Sequence, residues 1–443
     1  MKVLFLEFEM ERDWAVASIG PAFLASIARS NGHHIDIIHV SIDQTEAQLS
    51  QQIFEQSPDA LAISLTSRQW LRAKSFINHF RNQCYIPTIT GGLHPTFAPE
   101  SVLQEPGFDY VCLGEGEGAF VDFLNVMGTQ GYVTDGQIEN IWVKGGHRPA
   151  LRPPYDPIDA LPFMARDMLN ENHGVINMTT QRGCPFPCTY CAARMYNEIY
   201  TGYGRRRSIE NVLEELRQVR DKGPLNYIIF LDDTFTINHK WVREFCRVYP
   251  NEIGVSFSLH ARVETINQGM LKDLAKAGCA HITFGVESGS ERVRREIMDR
   301  KISNQRLIDA FKWSKDAGII TTANYIIGTP TETVDDLEAT IALHHQLQPD
   351  DFGYFVFYPY PGTPMYHYCK ANGLLPENFD TLPANHRQSV LIHDTLSHED
   401  IEHYYERLTQ IRETDYLKKY GVKLNSTGQT DVHEQIEHIA CTG

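Results

Sequence analysis

Three of the nine cysteines in the chain lie in one short segment, QRGCPFPCTYC at residues 181–191. Cys184, Cys188 and Cys191 are separated by three and then by two residues, a spacing that is typical of metal ligands. A structural zinc site needs four ligands, usually from two paired motifs, and the sequence has no second Cys-x-x-Cys pair. Three cysteines on one loop can instead hold three irons of a [4Fe–4S] cluster, which leaves one iron open to an external ligand.

The composition restricts the partners and the compartment. The 443 residues are 42% hydrophobic and 22% charged, which is typical of a soluble protein of two or three domains. With 40 basic against 56 acidic residues the net charge is −16, so we expect no nucleic-acid partner. No apolar run reaches the roughly 18–20 residues of a membrane span, and no signal peptide precedes the first strand. We therefore expect a cytoplasmic protein whose thiols stay reduced.

The first 125 residues alternate five short apolar strands with amphipathic helices, which predicts a doubly wound parallel sheet over residues 1–135. Ligands of such sheets bind at the carboxyl ends of the strands. Glycines at these ends let a ligand approach the backbone closely. The candidate ligand-binding residues at these ends are Ser64, Thr66, Gly91, Gly92, His94, Gly114, Glu115 and Gly116.

A second alternating series follows a segment over 136–172 that contains four prolines between 153 and 162 and is predicted to be a linker. Six strand–helix repeats over 173–380 predict a (β/α)6 partial barrel, whose chemistry gathers at the carboxyl ends of its strands. The three cysteines follow the first of these strands directly. Residues 381–443 predict a helical C-terminal region.

The cysteine motif, with Tyr190 before its last cysteine and with five further strand-end motifs in order, resembles the radical S-adenosylmethionine (SAM) superfamily over about 173–380. The strand-end motifs are IIFLDDTFT, SFSLHARVE, ITFGVESGS, NYIIGTPTET and YFVFYPYPGTPMY. The resemblance implies SAM contacts from Tyr190, Asp232, Asp233, Ser258, Arg262, Glu287, Asn324 and Phe357. Taken singly, the two aspartates also suit a helix N-cap, and Glu287 suits a solvated charge beside a glycine turn.

The resemblance also implies the chemistry. The open iron would bind the amino and carboxylate groups of SAM, and one electron from a donor such as flavodoxin or ferredoxin would cleave a carbon–sulfur bond to release a 5′-deoxyadenosyl radical. The cofactors carry the reaction, and no side chain is assigned a catalytic role beyond holding them. We expect a small-molecule or natural-product-like substrate.

The first domain resembles the cobalamin-binding domain of one branch of this superfamily, at the strand-end residues given above. It departs from the mutase type because EFEMERDWAVASIG, after the first strand, lacks the Asp-x-His-x-x-Gly motif whose histidine binds cobalt. His33 and His34 lie at a helix-to-strand turn and do not replace that ligand. Cobalamin is expected nonetheless, and the alternative is a domain that positions the substrate without the corrinoid.

The leading hypothesis is a cobalamin-dependent radical SAM enzyme that methylates an unactivated carbon or phosphorus centre. The second is a radical oxidative cyclase or rearrangement enzyme, of the kind found in tetrapyrrole and hopanoid pathways. A methylthiotransferase would need three further cluster cysteines in the first domain, which has only Cys84 and Cys112. A cluster- or cobalamin-based sensor has no need of six strand-end motifs.

Overall fold

A computed structural model describes residues 1–10, 18–169, 171 and 173–420, and these residues form two compact units. Unit 1 comprises the described residues of Met1–Glu171 together with Met195–Tyr203, and unit 2 comprises the remaining described residues. The segment predicted as a linker therefore belongs to unit 1 almost entirely. Sequence patterning does not reveal this, because the segment lacks helical or strand periodicity and joins the unit through tertiary contacts.

Unit 1 contains one six-stranded sheet with the strand order β2-β1-β3-β4-β5-β6. The strands are β1 (Lys2–Phe8), β2 (His34–Val40), β3 (Ala60–Ser64), β4 (Thr88–Gly91), β5 (Tyr110–Cys112) and β6 (Ile141–Val143). The first five are parallel, as predicted, and β6 adds an antiparallel edge from the predicted linker. Six of the seven residues of β1 are buried, because helices cover both faces of a parallel sheet.

Six helices connect these strands. They are α1 (Ile19–Ser30), α2 (Glu46–Gln56), α3 (Ser67–Arg81), α4 (Leu93–Phe97), α5 (Pro99–Gln104) and α6 (Glu117–Gln130). Helix α3 begins directly after the end of β3, and α4 and α6 begin beside the glycines that follow β4 and β5. The strand ends predicted to bind a ligand therefore lie at helix N-termini.

Unit 2 contains a second six-stranded sheet, in which all neighbouring strands are parallel and the order is β14-β13-β12-β11-β10-β7. Its strands are β7 (Val175–Met178), β10 (Tyr227–Phe230), β11 (Phe257–Ala261), β12 (Cys279–Glu287), β13 (Ile320–Ile327) and β14 (Asp351–Val356). A separate antiparallel pair is formed by β8 (Gln181–Arg182) and β9 (Arg205–Arg206). The six predicted strands of the partial barrel are thus confirmed, in the predicted order.

Burial alternates along the barrel strands, so one face packs under helices and the other, the inner face, is partly open. Helix α7 (Ala192–Ile199) follows the cysteine loop, and its residues from Met195 onward belong to unit 1. The remaining helices are α8 (Ile209–Lys222), α9 (His239–Glu252), α10 (Gln268–Lys276), α11 (Asn304–Asp316), α12 (Val334–Leu347), α13 (Pro364–Ala371) and α14 (His398–Tyr420).

The predicted helical C-terminal region is helical at His398–Tyr420, and residues 421–443 lie outside the described part. Helix α14 packs beside β14, where Arg412 Nε donates to Asp351 Oδ1 at 3.0 Å and Tyr354 Oη donates to Thr409 Oγ1 at 2.7 Å. No described helix combines the length and the apolar composition that crossing a lipid bilayer requires.

Candidate functional site

The three cysteines lie on the loop between β8 and α7, on the carboxyl side of the first barrel strand. Cys184 and Cys188 are 8% and 4% exposed, and Cys191 is half-buried. Burial raises the pKa of the Cys184 thiol and raises that of Cys191 to about 12, and the charges of Asp233 and of the neighbouring cysteines add to the shift at Cys191. Binding of iron would replace these thiol protons and neutralise the thiolates that burial disfavours.

The donor set fits an iron–sulfur cluster better than a single ion. The described part of the chain contains no three His, Cys, Asp or Glu side chains that converge to hold one metal ion. A [4Fe–4S] cluster needs no such convergence, because each cysteine binds a different iron. None of the eight described cysteines is joined in a disulfide, so the three loop cysteines carry thiols, the groups that ligate iron.

Arg262, which follows β11, contacts the cysteine loop directly. Its Nη1 donates to Cys188 Sγ at 2.9 Å, and its guanidinium lies 3.9 Å from the ring centroid of Phe186. A fixed cation beside a thiolate stabilises the charged sulfur. The predicted SAM-contacting arginine is therefore also placed to stabilise a cluster ligand.

Glu287 ends β12 in a conformation that few residues adopt. The register with β13 shifts between Gly285 and Glu287, and Glu287 has a φ of +70°. Its Oε1 accepts a hydrogen bond of 2.8 Å from Arg300 Nη1. A Cβ atom added to Gly285 would lie 2.3 Å from Glu287 Oε1, so the glycine makes room for this carboxylate. Strained backbone of this kind is common at functional sites.

Two further charged residues, Arg300 and Glu264, lie beside Glu287 and Arg262 and were not predicted from the sequence. Arg300 is 1% exposed, and its Nη2 lies 3.5 Å from Glu264 Oε2, while Glu264 Oε1 pairs with Arg262. Burial opposes ionisation of Glu264, but the charges of Arg300 and Arg262 hold its pKa below the usual value. Glu264 could have been predicted, because it lies two residues after Arg262 in the HARVE segment. No nearby sequence feature indicates a role for Arg300.

The two predicted aspartates have different surroundings. Asp232 is 2% exposed and accepts hydrogen bonds from Thr180 N, Thr180 Oγ1 and Gln181 N at 2.7, 2.6 and 3.0 Å, which tie the end of β10 to the segment after β7. Asp233 is exposed, yet burial by the surrounding chain and the charge of Asp232 raise its pKa to about 6. Neither aspartate caps α9, because Asn238 does so.

The two predicted aromatic contacts belong to one apolar cluster. Phe357 is 3% exposed, and half-buried Tyr190 packs against the same group. Other buried members of the group are Val293, Met298, Met365, Cys369, Leu374 and Leu391. Burial and the charge of Glu287 raise the pKa of Tyr190, so its hydroxyl keeps its proton at neutral pH and lies near Glu287.

Ser258 and Asn324 lie on the inner face on strands that β12 separates, with Ser258 in register with His281. Ser258 is 9% exposed. Asn324 is in register with Gly285 on one side and Gly353 on the other, so its side chain stands between two residues without side chains. A Cβ atom added to Gly353 would lie 2.8 Å from Asn324 Oδ1, so this glycine makes room for the amide.

In unit 1, the edge between β3 and β4 is the better candidate for a ligand site. Ser64 is partly exposed, and its hydroxyl makes no hydrogen bond within the described part of the chain. Gly91 pairs with Ser64, and Gly92 has a φ of +95° with the backbone of Leu65 2.8 Å from where a Cβ would stand. The hydroxyl of Thr66 is engaged in a capping box with Gln69 at the start of α3.

His94 carries an unsatisfied polar atom at this edge. Its ring stacks on Trp70 at 4.8 Å between centroids, and its Nδ1 is 3.0 Å from Ser67 Oγ. Its Nε2 is buried and has no hydrogen-bond partner among the described residues, and burial lowers the pKa of His94 to about 4. Buried polar atoms in folded proteins nearly always have a partner, so a ligand atom fits here.

The third predicted strand end is already packed by the chain itself. Glu115 N–H donates to Tyr200 Oη at 3.0 Å, and a Cβ on Gly114 would lie 2.0 Å from that oxygen. Tyr196, Tyr200 and Tyr203 stack on one another within unit 1. Gly116 begins α6 against Cys112 Sγ.

The orphan Nε2 of His94 and the unengaged Ser64 hydroxyl suit a polar nucleotide-bearing cofactor such as cobalamin.

Comparison with known proteins finds two domain families in this chain. The sequence model described as Radical SAM superfamily matches residues 178–344, and the one described as B12 binding domain matches residues 15–124. An uncharacterized methyltransferase of Pyrococcus horikoshii, PH0819, is 31% identical over 374 residues, which are 81% of this chain and 79% of that protein. The anaerobic magnesium-protoporphyrin IX monomethyl ester cyclase of Rubrivivax gelatinosus is 24% identical over 83% of this chain and 69% of its own.

Among solved structures, the cobalamin-dependent SAM radical enzyme OxsB with aqua-cobalamin and SAM bound superposes with a TM-score of 0.74 at 16% identity, over 99% of this chain and 71% of that one. This likeness supports the fold. The cofactors of the two matched domain families are a [4Fe–4S] cluster with SAM, and cobalamin. The chain belongs to the radical SAM superfamily, among the members that carry a B12-binding domain before the barrel.

Proposed function

We propose that this enzyme is a cobalamin-dependent radical SAM methyltransferase that transfers a methyl group to an unactivated carbon or phosphorus centre of a small molecule. The observation that carries the proposal is the combination of two sites in one chain. One is a loop of three thiols with an arginine on one sulfur, and the other is a B12-type strand edge with an orphan histidine nitrogen. The methyltransferase relative, similar over four-fifths of the chain, supports the same reading.

In this proposal the three loop cysteines hold the cluster, which supplies the electron that cleaves SAM when it is bound. Asp233 and Glu287 orient the SAM amino group, because both carboxylates lie beside the cysteine loop. The oxygens of Asp232 are instead engaged by two backbone N–H groups and by the Thr180 hydroxyl. Tyr190 and Phe357 contribute an apolar wall, and Ser258, Arg262 and Asn324 contribute hydrogen-bonding groups.

For cobalamin, we propose that Ser64, Gly91, Gly92 and His94 bind the nucleotide tail at the edge between β3 and β4. Neutral His94 offers Nε2 as a donor or acceptor, depending on its tautomer. Thr66, Gly114, Glu115 and Gly116 shape this end of the sheet through their own backbone and capping contacts.

The inner face of the barrel sheet is the proposed substrate site. His260, the fourth of the five residues of β11, is exposed, so this part of the inner face is accessible to solvent. His281 Nε2 lies 2.8 Å from Thr322 Oγ1 on the same face. The surrounding chain lowers the pKa of His260. Burial lowers the pKa of His281 to about 4. Neutral imidazoles and hydroxyls favour a substrate with hydrogen-bonding groups. An electron donor such as flavodoxin or ferredoxin completes the proposal.

The second candidate is an oxidative cyclase, which the Rubrivivax gelatinosus relative supports at lower identity. One anaerobic experiment separates the two. The reconstituted protein is incubated with hydroxocobalamin, SAM, a reductant and candidate substrates, and the SAM products are measured. Formation of both S-adenosylhomocysteine and 5′-deoxyadenosine supports methylation, and 5′-deoxyadenosine alone supports cyclisation. Formation of neither product, with a reduced cluster present, contradicts both.

A further inference from the structure

We propose that Arg262 makes the cluster easier to reduce by donating a hydrogen bond to Cys188 Sγ. Three further ionised side chains hold Arg262 in position, and the four together are called the charge chain: Arg262, Glu264, Arg300 and Glu287. The inference rests on the proposed function, since it concerns the cluster that the loop cysteines hold. It assigns to this arginine a role in electron transfer that SAM binding alone does not require.

The first part of the argument is the fixed position of the guanidinium. Arg262 is 11% exposed, its Nη1 lies 2.9 Å from Cys188 Sγ, and its Nη2 pairs with Glu264. The ring of Phe186, from the cysteine loop itself, lies 3.9 Å from the guanidinium carbon. The group is thus held by contacts on the loop and by a carboxylate on its own segment, so it keeps its place beside the sulfur.

The second part is the continuation of the charge chain. Glu264 Oε2 lies 3.5 Å from Arg300 Nη2, and Arg300 Nη1 donates to Glu287 Oε1 at 2.8 Å. Arg300 is 1% exposed, and the two glutamates are 23% and 13% exposed. Removing one partner from a buried set of ions leaves an uncompensated charge, so the members hold one another in place. A change at Glu264 is therefore expected to move Arg262.

The third part is the electrostatic effect on the cluster. Reduction adds one electron to the oxidised [4Fe–4S] cluster from a low-potential donor, and no bond breaks and no proton moves in this step. A guanidinium stays protonated at every physiological pH. Its positive charge and its hydrogen bond to a ligating sulfur stabilise the more negative, reduced cluster, in a setting where burial limits screening by water. Within the described part of the chain, the buried Nε–H of Arg262 has no hydrogen-bond partner, so a further donor is available.

The test is a redox titration of the reconstituted protein without SAM, followed by electron paramagnetic resonance. The variants are Arg262→Gln, Arg262→Lys and Glu264→Gln. Arg295→Gln is the matched control, since Arg295 is 59% exposed and pairs only with Glu296 among the described residues. We expect Arg262→Gln to lower the equilibrium constant for reduction at least tenfold, which is a shift of 59 mV to lower potential for one electron.

Arg262→Lys keeps the charge without the planar fork and is expected to shift the potential less than Arg262→Gln. Glu264→Gln removes a negative charge near the cluster, so it is expected to shift the potential upward. An unchanged potential in Arg262→Gln, with full iron content, overturns the inference. If Arg262→Gln loses its cluster, an unchanged potential in both Arg262→Lys and Glu264→Gln overturns it. Failure of the wild-type protein to bind a cluster would overturn the proposed function as well, which distinguishes the two failures.

Discussion

Replacing Gly285 with alanine tests whether the Glu287–Arg300 pair depends on the absence of a side chain at that position. The added methyl group would lie 2.3 Å from Glu287 Oε1 and 3.3 Å from Arg300 Nη1, so the carboxylate must move. Moving the carboxylate breaks its hydrogen bond to Arg300. A hydrogen bond between charged partners contributes about 1.5–3 kcal/mol to the free energy of unfolding. This loss of stability is smaller than the loss expected when a buried ion is left with no charged partner, because Arg300 keeps its contact with Glu264.

The assay compares Gly285→Ala with Gly204→Ala, since no atom lies within 4 Å of a Cβ added to Gly204. Urea unfolding of both variants should show a lower free energy of unfolding for Gly285→Ala by about 1.5–3 kcal/mol, at an unchanged dependence on urea. Binding of SAM to the reconstituted protein should weaken by about tenfold, because Glu287 no longer holds its position. Equal stability and equal SAM affinity in the two variants would refute the reasoning.

Four further outcomes are expected. Alanine at any one of the three loop cysteines should abolish 5′-deoxyadenosine formation and lower iron content while the circular dichroism of the protein is retained. His94→Phe preserves the stack on Trp70 and removes the orphan nitrogen, so cobalamin affinity measured by absorbance titration should fall about tenfold while apoprotein stability does not. Burial raises the pKa of Glu332 to about 7, so the native state keeps a proton that the unfolded chain releases near pH 4.5. The free energy of unfolding should therefore fall between pH 4.5 and 7, by at most about 3 kcal/mol, and Glu332→Gln should lack this fall. Asp232→Ala should lower the urea midpoint more than the same change at its exposed neighbour, because it loses the Thr180 contacts.

Local patterns predicted most of the fold. Strands β1 and β13 could be predicted from consecutive residues. Strand β1 is buried on both faces and is a continuous apolar run, and the burial of β13 alternates along the strand. Strand β6 was not predicted, since three residues inside a proline-rich segment carry too little periodicity and become a strand only by pairing with β5.

Some residues of the candidate site could likewise be predicted from local sequence, and others could not. The loop cysteines could be recognised because their spacing is local, and Glu287 because it ends a strand. Arg300 could not be predicted, because its partner Glu264 is 36 positions away and only the tertiary fold brings them together. Likewise, nothing near Tyr200 indicates that its hydroxyl accepts a hydrogen bond from Glu115, 85 positions earlier.

The discontinuity of unit 1 has a consequence for how this protein can be divided. A fragment that stops at Glu171 would lack Met195–Tyr203, and with it the oxygen that accepts the Glu115 N–H. A single break in the chain therefore does not separate the whole B12-type unit from the rest of the protein, whether the break is engineered or arises by recombination between genes. A chimaera that exchanges this unit should keep residues 195–203 from the same parent as residues 1–171, although the cluster cysteines directly before them come from the other.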